Sequence, residues 1–122
     1  MAHATLQKIV PSLPVNNVKE TIDYYCNKLG FAHQWFYGDP VEEGGCRRDE
    51  IHLMFLQDAD QALLCKGLNL LFFVHKIETL FDELTTKGVI ISSPIQNYEH
   101  GMREFAVTDC NGYTLRFAEN HH

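Results

Sequence analysis

Residues 13–31 read LPVNNVKETIDYYCNKLGF and hold the end of a strand followed by a complete helix. Asn17 is a favourable N-cap, and Glu20 three residues later gives the spacing of a capping box. Apolar residues at positions 18, 22, 25 and 29 recur at intervals of four, three and four, which predicts one buried helical face. Gly30 is expected to end the helix. We therefore predict a strand over residues 9–15 and a helix from Val18 to Gly30.

A second stretch repeats this pattern further along the chain. When Val15 is aligned with Val74, Lys28 meets Lys87 and the buried helical positions coincide. Strands are then expected over 31–37 and 51–57, and over 68–75, 89–93, 103–108 and 113–119. Asn111-Gly112 predicts a tight hairpin between the last two strands. The second half thus has the order strand, helix and three strands, and its alignment with the first half predicts an α+β fold of two βαβββ modules.

The regions between these elements are expected to be irregular. Gly38-Asp39-Pro40 and Gly44-Gly45 punctuate the segment before the strand at 51–57. Residues 57–66, with the acidic Asp58 and Asp60, are expected to connect the two modules. A length of 122 residues suits one domain over 1–122, with module one at about 5–60 and module two at about 67–119.

Charge and composition exclude several classes of partner. The net charge is −6, and no basic run interrupts the acidic balance, so nucleic acid and anionic membranes are not expected as partners. No apolar run approaches the roughly 20 residues of a membrane span. No signal segment is visible, so a cytoplasmic location is expected. The closing pair, His121 and His122, has the pattern of a tag remnant.

Two motifs resemble a known family. Residues 13–18 and 28–31 resemble the opening of glyoxalase/bleomycin-resistance/dioxygenase domains, the vicinal oxygen chelate superfamily. Residues 101–109 and 111–119 resemble the closing hairpin of its bleomycin-resistance branch. The resemblance implies two curled mixed sheets that form a cup, and a homodimer in which each cup is shared between two chains. In metal-dependent members, one ligand stands on each of four strands that line the cup.

The four metal-ligand positions of the family fall on unsuitable residues here. Alternation along each strand places them at Val10, Met54, Asn69 and Arg116. None of these side chains is a carboxylate, an imidazole or a thiolate, and the arginine repels a cation. The sequence therefore predicts no metal ion and no cofactor in the cup.

The same alternation predicts which side chains line the cup. The expected ligand-binding residues are Val10, Ser12, Trp35, His52, Met54, Asn69, Leu71, Phe73, Thr114 and Arg116. Arg116 needs a partner among apolar neighbours, either Glu104, another acidic side chain or an anionic group of the ligand. Trp35 is expected either to stack on a ligand or to pack at a dimer interface. His52 either projects into the cup or is a half-buried histidine bonded to a neighbour.

The predicted function is to bind and sequester, without a metal ion, a planar, partly aromatic small molecule. The sequence leaves the charge of this ligand open. The alternative is a metal-dependent, glyoxalase-like lyase, thiol transferase or dioxygenase with a non-standard site. A ligand sensor or a structural protein with a collapsed cup is the third class. No catalytic residues can be assigned, because no Ser-His-Asp or Cys-His spacing and no phosphate-binding loop is present.

Overall fold

The computed structural model describes residues 2–98 and 101–120. Two four-stranded sheets have the orders β1-β4-β3-β2 and β5-β8-β7-β6, which confirms the α+β fold with two βαβββ modules. The elements are β1 Ser12–Val15, α1 Val18–Lys28, β2 Ala32–Tyr37, β3 Glu43–Arg48, β4 Ile51–Gln57, α2 Ala59–Leu64, β5 Asn69–Phe73, α3 Ile77–Thr86, β6 Ile91–Asn97, β7 Met102–Thr108 and β8 Thr114–Asn120.

Alternation along the strands determines which face of each sheet is buried. Leu13 and Val15 of β1 are buried, as are Leu53 and Phe55 of β4 and Leu115 and Phe117 of β8. The residues between them are more exposed, with the buried Ala118 as an exception. Side chains i and i+2 share a face, so one face of each sheet packs on a helix and the opposite face is open. The predicted registers of these strands are confirmed.

Local signals at the ends of α1 act as predicted. The Asn17 side chain accepts a hydrogen bond from the backbone N–H of Glu20 at 3.0 Å, which satisfies one of the free donors of the first turn. Gly30 follows the helix with a φ of 74°, a conformation that glycine adopts at little cost. Helix α3 begins differently, because the Glu119 carboxylate accepts hydrogen bonds from the backbone N–H groups of Lys76 and Ile77 at 2.9 and 3.0 Å.

Two regions between the predicted elements contain regular structure. Residues 57–66 contain the short helix α2, whose first turn is capped by the Asp58 carboxylate at 3.0 Å from the Gln61 nitrogen. Gly44 and Gly45 lie inside β3 and do not form a turn. A Cβ on Gly44 would stand 2.7 Å from Ile22 Cδ1 of α1, so the glycine allows the helix to approach the sheet.

Some strand boundaries also shift. The first strand begins at Ser12 and not at residue 9. Pro11 has no N–H to donate to the ladder, although its carbonyl still accepts from the Met54 nitrogen at 2.9 Å. The strand predicted over 89–93 lies instead at Ile91–Asn97.

The two modules join through their helix-bearing sides. The Tyr25 hydroxyl donates to Asp109 Oδ2 at 2.6 Å, and Arg48 donates to both carboxylate oxygens of Glu83 at 2.8 and 3.0 Å. The buried apolar residues of both modules form one core cluster between them. The open faces of the sheets therefore point away from this shared core. No helix among the described residues is long and apolar enough to cross a membrane.

Candidate ligand-binding site

Three predicted site residues form a row across the open face of the first sheet. Ser12 of β1 pairs with Met54 of β4, Met54 pairs with Gly45 of β3, and Gly45 pairs with Trp35 of β2. Gly44 faces α1, so Gly45 faces the opposite side. A Cβ on Gly45 would be 2.6 Å from Trp35 Nε1, and therefore the indole lies directly over this glycine. Trp35 is 42% exposed and offers an aromatic surface beside Met54.

His52 and Val10 lie near this row. His52 shares the open face with Met54, pairs with Arg47 across the ladder and is half-buried. Among the described residues its side chain has no hydrogen-bond partner, so a role as a histidine held by a neighbour gains no support. Val10 is half-buried and precedes β1 by two residues, so it lies outside the ladder of the first sheet.

The other five predicted residues lie on the second sheet. Asn69 pairs with Thr114, and Leu71 pairs with Arg116. Leu71 and Phe73 are 45% and 70% exposed, which is high for large apolar side chains. These residues stand on edge strand β5 and its neighbour β8. The second sheet thus contributes an apolar strip beside one cationic side chain.

Arg116 has its partner within the chain. Its Nε is 2.5 Å from Oε1 of Glu104, which stands on the neighbouring strand β7. This hydrogen bond raises the pKa of Arg116 and keeps its guanidinium charged. The carboxylate also neutralises the cation, so Arg116 offers N–H donors without a net positive charge. Of the partners left open by the sequence, the structure selects Glu104.

The two groups of site residues are not brought together within one chain. The first contains Val10, Ser12, Trp35, His52 and Met54, and the second contains Asn69, Leu71, Phe73, Thr114 and Arg116. Within residues 2–98 and 101–120, no side-chain hydrogen bond, ion pair or aromatic contact joins the groups. The strongest contacts between elements also lie within one module or the other. Each module therefore presents half of a lined surface.

The donor set does not fit a metal ion. Val10 has no donor atom, Met54 offers a thioether, Asn69 a neutral amide and Arg116 a cation paired with Glu104. Zinc and the harder divalent ions require carboxylate, imidazole or thiolate ligands. The described part of the chain also lacks any group of three or more His, Cys, Asp or Glu side chains placed to hold an ion.

A feature missed in the sequence is a cleft of about 500 Å³ between the modules. Its apolar walls include Phe31 and Ile51 of module one and Phe72 and Leu80 of module two, and Phe73 stands at its border. The cleft arises from the docking of two modules, so no periodicity within one strand or helix predicts it. Of the ten predicted site residues, Phe73 alone lines this cleft.

Comparisons with known proteins agree with this architecture. The family model described as Glyoxalase/Bleomycin resistance protein/Dioxygenase superfamily matches residues 2–117. A search of curated protein sequences found no match.

Three solved structures illustrate the likeness. A bleomycin-binding protein from bleomycin-producing Streptomyces verticillus, complexed with copper(II)-bleomycin, is 21% identical with a TM-score of 0.76, over 94% of this chain and 97% of that chain. A bleomycin resistance determinant encoded on transposon Tn5 is 18% identical with a TM-score of 0.77, over 96% and 100%. A glyoxalase-related enzyme from Clostridium phytofermentans is 18% identical with a TM-score of 0.79, over 96% and 97%. At these identities the structures show a shared fold, and the match over residues 2–117 shows that the chain belongs to the glyoxalase/bleomycin resistance protein/dioxygenase superfamily.

Proposed function

We propose that this protein binds a partly aromatic small molecule without a metal ion, in a cup that two copies of the chain complete. The observation that carries the proposal is the apolar surface left open on the two sheets. Trp35 lies over Gly45 beside Met54, and Leu71 and Phe73 are exposed on the second sheet. Apolar walls with a few polar groups are typical of small-molecule sites.

The polar groups of this surface can orient a ligand by hydrogen bonds, and they favour a ligand without a strong charge. The Arg116–Glu104 pair, Asn69, Ser12 and Thr114 offer hydrogen-bond donors and acceptors without a net local charge. The net charge of −6 adds a long-range attraction for cationic ligands, which salt would weaken. Affinity would then come chiefly from buried apolar area, at about 25 cal/mol per Å².

Two related structures support the choice of ligand class. One is a bleomycin-binding protein complexed with copper(II)-bleomycin, and the other is a bleomycin resistance determinant. Bleomycin is therefore a reasonable first probe for this chain. Sequestration is the proposed mode of action, since among the described residues His52 on the open face of the first sheet has no hydrogen-bonded side-chain partner of the kind that a catalytic dyad needs.

The experiment is a titration of intrinsic tryptophan fluorescence with metal-free bleomycin and with small aromatic acids. Trp35 is the only tryptophan of the chain, so the signal reports on this surface alone. We expect saturable binding in the wild type. Leu71→Ala should weaken it about tenfold, because burying a leucine contributes roughly 1.5–3 kcal/mol.

The matched control is Leu64→Ala on α2, where the leucine is 79% exposed and belongs to neither sheet. This variant should bind like the wild type. Equal affinity in the wild type and a folded Leu71→Ala variant would contradict the proposed surface. Turnover of a probe that depends on an added metal ion would favour the enzyme alternative.

A further inference from the structure

The cleft between the modules shares Phe73 with the proposed cup and none of the other nine predicted site residues. It is bordered by the β3–β4 turn of module one, by the end of β5 and by α3. Its volume of about 500 Å³ is several times that of an apolar cavity of about 150 Å³ that accepts benzene. One aromatic ring with substituents therefore fits inside.

The internal repeat identifies the side chain that fills the equivalent space on the other side of the molecule. Met54 and Arg116 hold equivalent places, because they pair with Ser12 of β1 and Leu71 of β5. Three residues before each of them stand Ile51 and Tyr113. Ile51 is therefore the module-one counterpart of Tyr113.

Tyr113 is fully buried and bridges the modules. Its hydroxyl donates to the carbonyl oxygen of Pro14 in β1, and its backbone N–H donates to Asp109 Oδ1 at 2.9 Å. By the same alignment, Pro14 corresponds to Phe73 of β5. On this side of the molecule the phenol ring of Tyr113 thus occupies the space between the start of β8 and the end of β1.

On the opposite side, that ring is missing. Ile51 is 38% exposed and lines the cleft together with Phe73. The turn before it is also shorter, with residues 49–50 between β3 and β4, whereas residues 109–113 separate β7 from β8. The shorter turn and the smaller side chain leave open the volume that Tyr113 fills in the other half.

A hydrogen-bond acceptor remains at the counterpart position. The Val74 N–H donates to Ala118 of β8 at 2.9 Å, so the carbonyl of the preceding residue, Phe73, points away from β8. Because β5 is an edge strand, this carbonyl faces the free edge. It corresponds to the Pro14 carbonyl that accepts from the Tyr113 hydroxyl.

The charges around the cleft are already paired or lie at its mouth. Arg48 donates to both oxygens of Glu83 and to the Leu29 carbonyl at 2.9 Å, while the Asp49 side chain is 89% exposed. Glu50 and Lys76, which also line the cleft, are exposed, so their charges remain in water. Among the described residues, no unpaired charge is therefore buried in the cleft. We propose that the cleft is a second ligand site, which accepts a small neutral phenol in the position that Tyr113 occupies in the other half.

The test uses p-cresol, which has the structure of a tyrosine side chain, and follows its binding by protein NMR. We expect cross-relaxation from the probe's methyl group to Ile51 and Phe72 and shifts confined to the cleft. Toluene, which lacks the hydroxyl, should bind several-fold more weakly. Ile51→Tyr should fill the cleft and weaken p-cresol binding about tenfold or more, since it removes the buried area that drives binding.

The matched control is Ile90→Tyr, which introduces the same side chain at a position 70% exposed and outside the cleft. It should bind p-cresol like the wild type. Leu71→Ala should do so as well, so the test of the cleft does not depend on whether the proposed cup binds a ligand. If Ile51→Tyr does not fold, the cross-relaxation between p-cresol and the wild-type protein shows whether the probe binds in the cleft. The proposal would be overturned if p-cresol does not bind, or if its cross-relaxation reports contacts to Trp35 and Met54. It would also be overturned if the cleft signals shift when the protein is diluted without the probe, because that result indicates that a second copy of the chain fills the cleft.

Discussion

A single glycine determines where the proposed aromatic surface lies. A Cβ at Gly45 would stand 2.6 Å from Trp35 Nε1 and 2.7 Å from the Leu53 carbonyl oxygen, so one or both must move. We expect Gly45→Ala to displace the indole, shift its emission and lower the free energy of unfolding by about 1–3 kcal/mol, the usual cost of overpacking. Emission spectra and denaturant unfolding measure both effects.

Gly44→Ala is the matched control for this substitution. Its Cβ would meet Ile22 Cδ1 at 2.7 Å and the Trp35 backbone oxygen at 2.7 Å, but not the indole ring. It should destabilise the protein with a smaller change in emission. An unchanged spectrum and stability in Gly45→Ala would contradict the position of the indole over this glycine.

The donor chemistry of four residues leads to a prediction about metal content. Val10, Met54, Asn69 and Arg116 do not provide the ligands that zinc, nickel, iron or manganese require. We expect less than one equivalent of any of these metals per chain after dialysis, measured by elemental mass spectrometry. The protein should lack His121 and His122, which can bind stray nickel. One retained equivalent would overturn both this prediction and the metal-free function.

At the scale of elements, the β7–β8 turn is tied to α1 by one buried carboxylate. Asp109 accepts from the Tyr25 hydroxyl, from the Asn111 nitrogen at 2.8 Å and from the Tyr113 nitrogen at 2.9 Å. Burial nevertheless raises the pKa of Asp109 above its ordinary value of 3.8, because desolvation outweighs these bonds. The carboxylate therefore connects the modules while its charge opposes folding.

This shift has a definite sign for stability. When the folded-state pKa exceeds the unfolded value, the associated stability is full below the unfolded pKa and is lost as pH rises through the folded pKa. The wild type should therefore lose its advantage over Asp109→Asn as pH rises above about 4, near the ordinary pKa of 3.8. Urea unfolding at several pH values measures the difference. Asp23→Asn, on the exposed surface of α1, is the control for the loss of a carboxylate. If the stability advantage of the wild type over Asp109→Asn grows with pH, the raised pKa of Asp109 is contradicted.

Local signals predicted much of the fold. The Asn17 cap, the glycines that end the helices and the Asn111-Gly112 turn each act within a few residues of sequence. Alternation placed Leu53 and Phe55 on the buried face because a strand has a period of two. These features depend on neighbours in the chain, and therefore the sequence predicts them.

The features that the sequence leaves open or misses depend on contacts between residues distant in sequence. Gly44 and Gly45 have the pattern of a turn, but they lie in β3 because α1 and the Trp35 ring approach the strand there. The pairing of Arg116 with Glu104 depends on the β7–β8 register, which the sequence leaves open among several partners. The cleft depends on the docking of two modules and has no local signature. The roles of the ten site residues remain predictions.

At the scale of the whole molecule, apolar surface is left uncovered in a single chain. Leu6 and Ile9, before β1, are 98% and 88% exposed, and Phe73 on the second sheet is 70% exposed. Burying such side chains contributes roughly 1.5–3 kcal/mol each, so a partner that covers them gains stability. Exposed apolar surface of this extent commonly marks an interface.

A second copy is the partner that we expect. Each module carries half of the predicted site residues, so the first sheet of one chain can face the second sheet of the other. A two-fold axis repeats this contact and forms two cups without leaving an open surface for further growth. Light scattering at micromolar concentration should then give about twice 14.0 kDa. Leu6→Asp with Ile9→Asp should raise the dissociation constant, because each places a charge where the interface buries an apolar side chain.

Leu64→Asp provides the control for each of these substitutions, since it adds one negative charge at a 79% exposed leucine of α2, which belongs to neither sheet. It should leave the dimer intact. If the wild type is a monomer across a dilution series, a cup shared between chains is excluded. Trp35 fluorescence then decides whether the first sheet binds a ligand alone, because the apolar row of Trp35 and Met54 is complete within one chain.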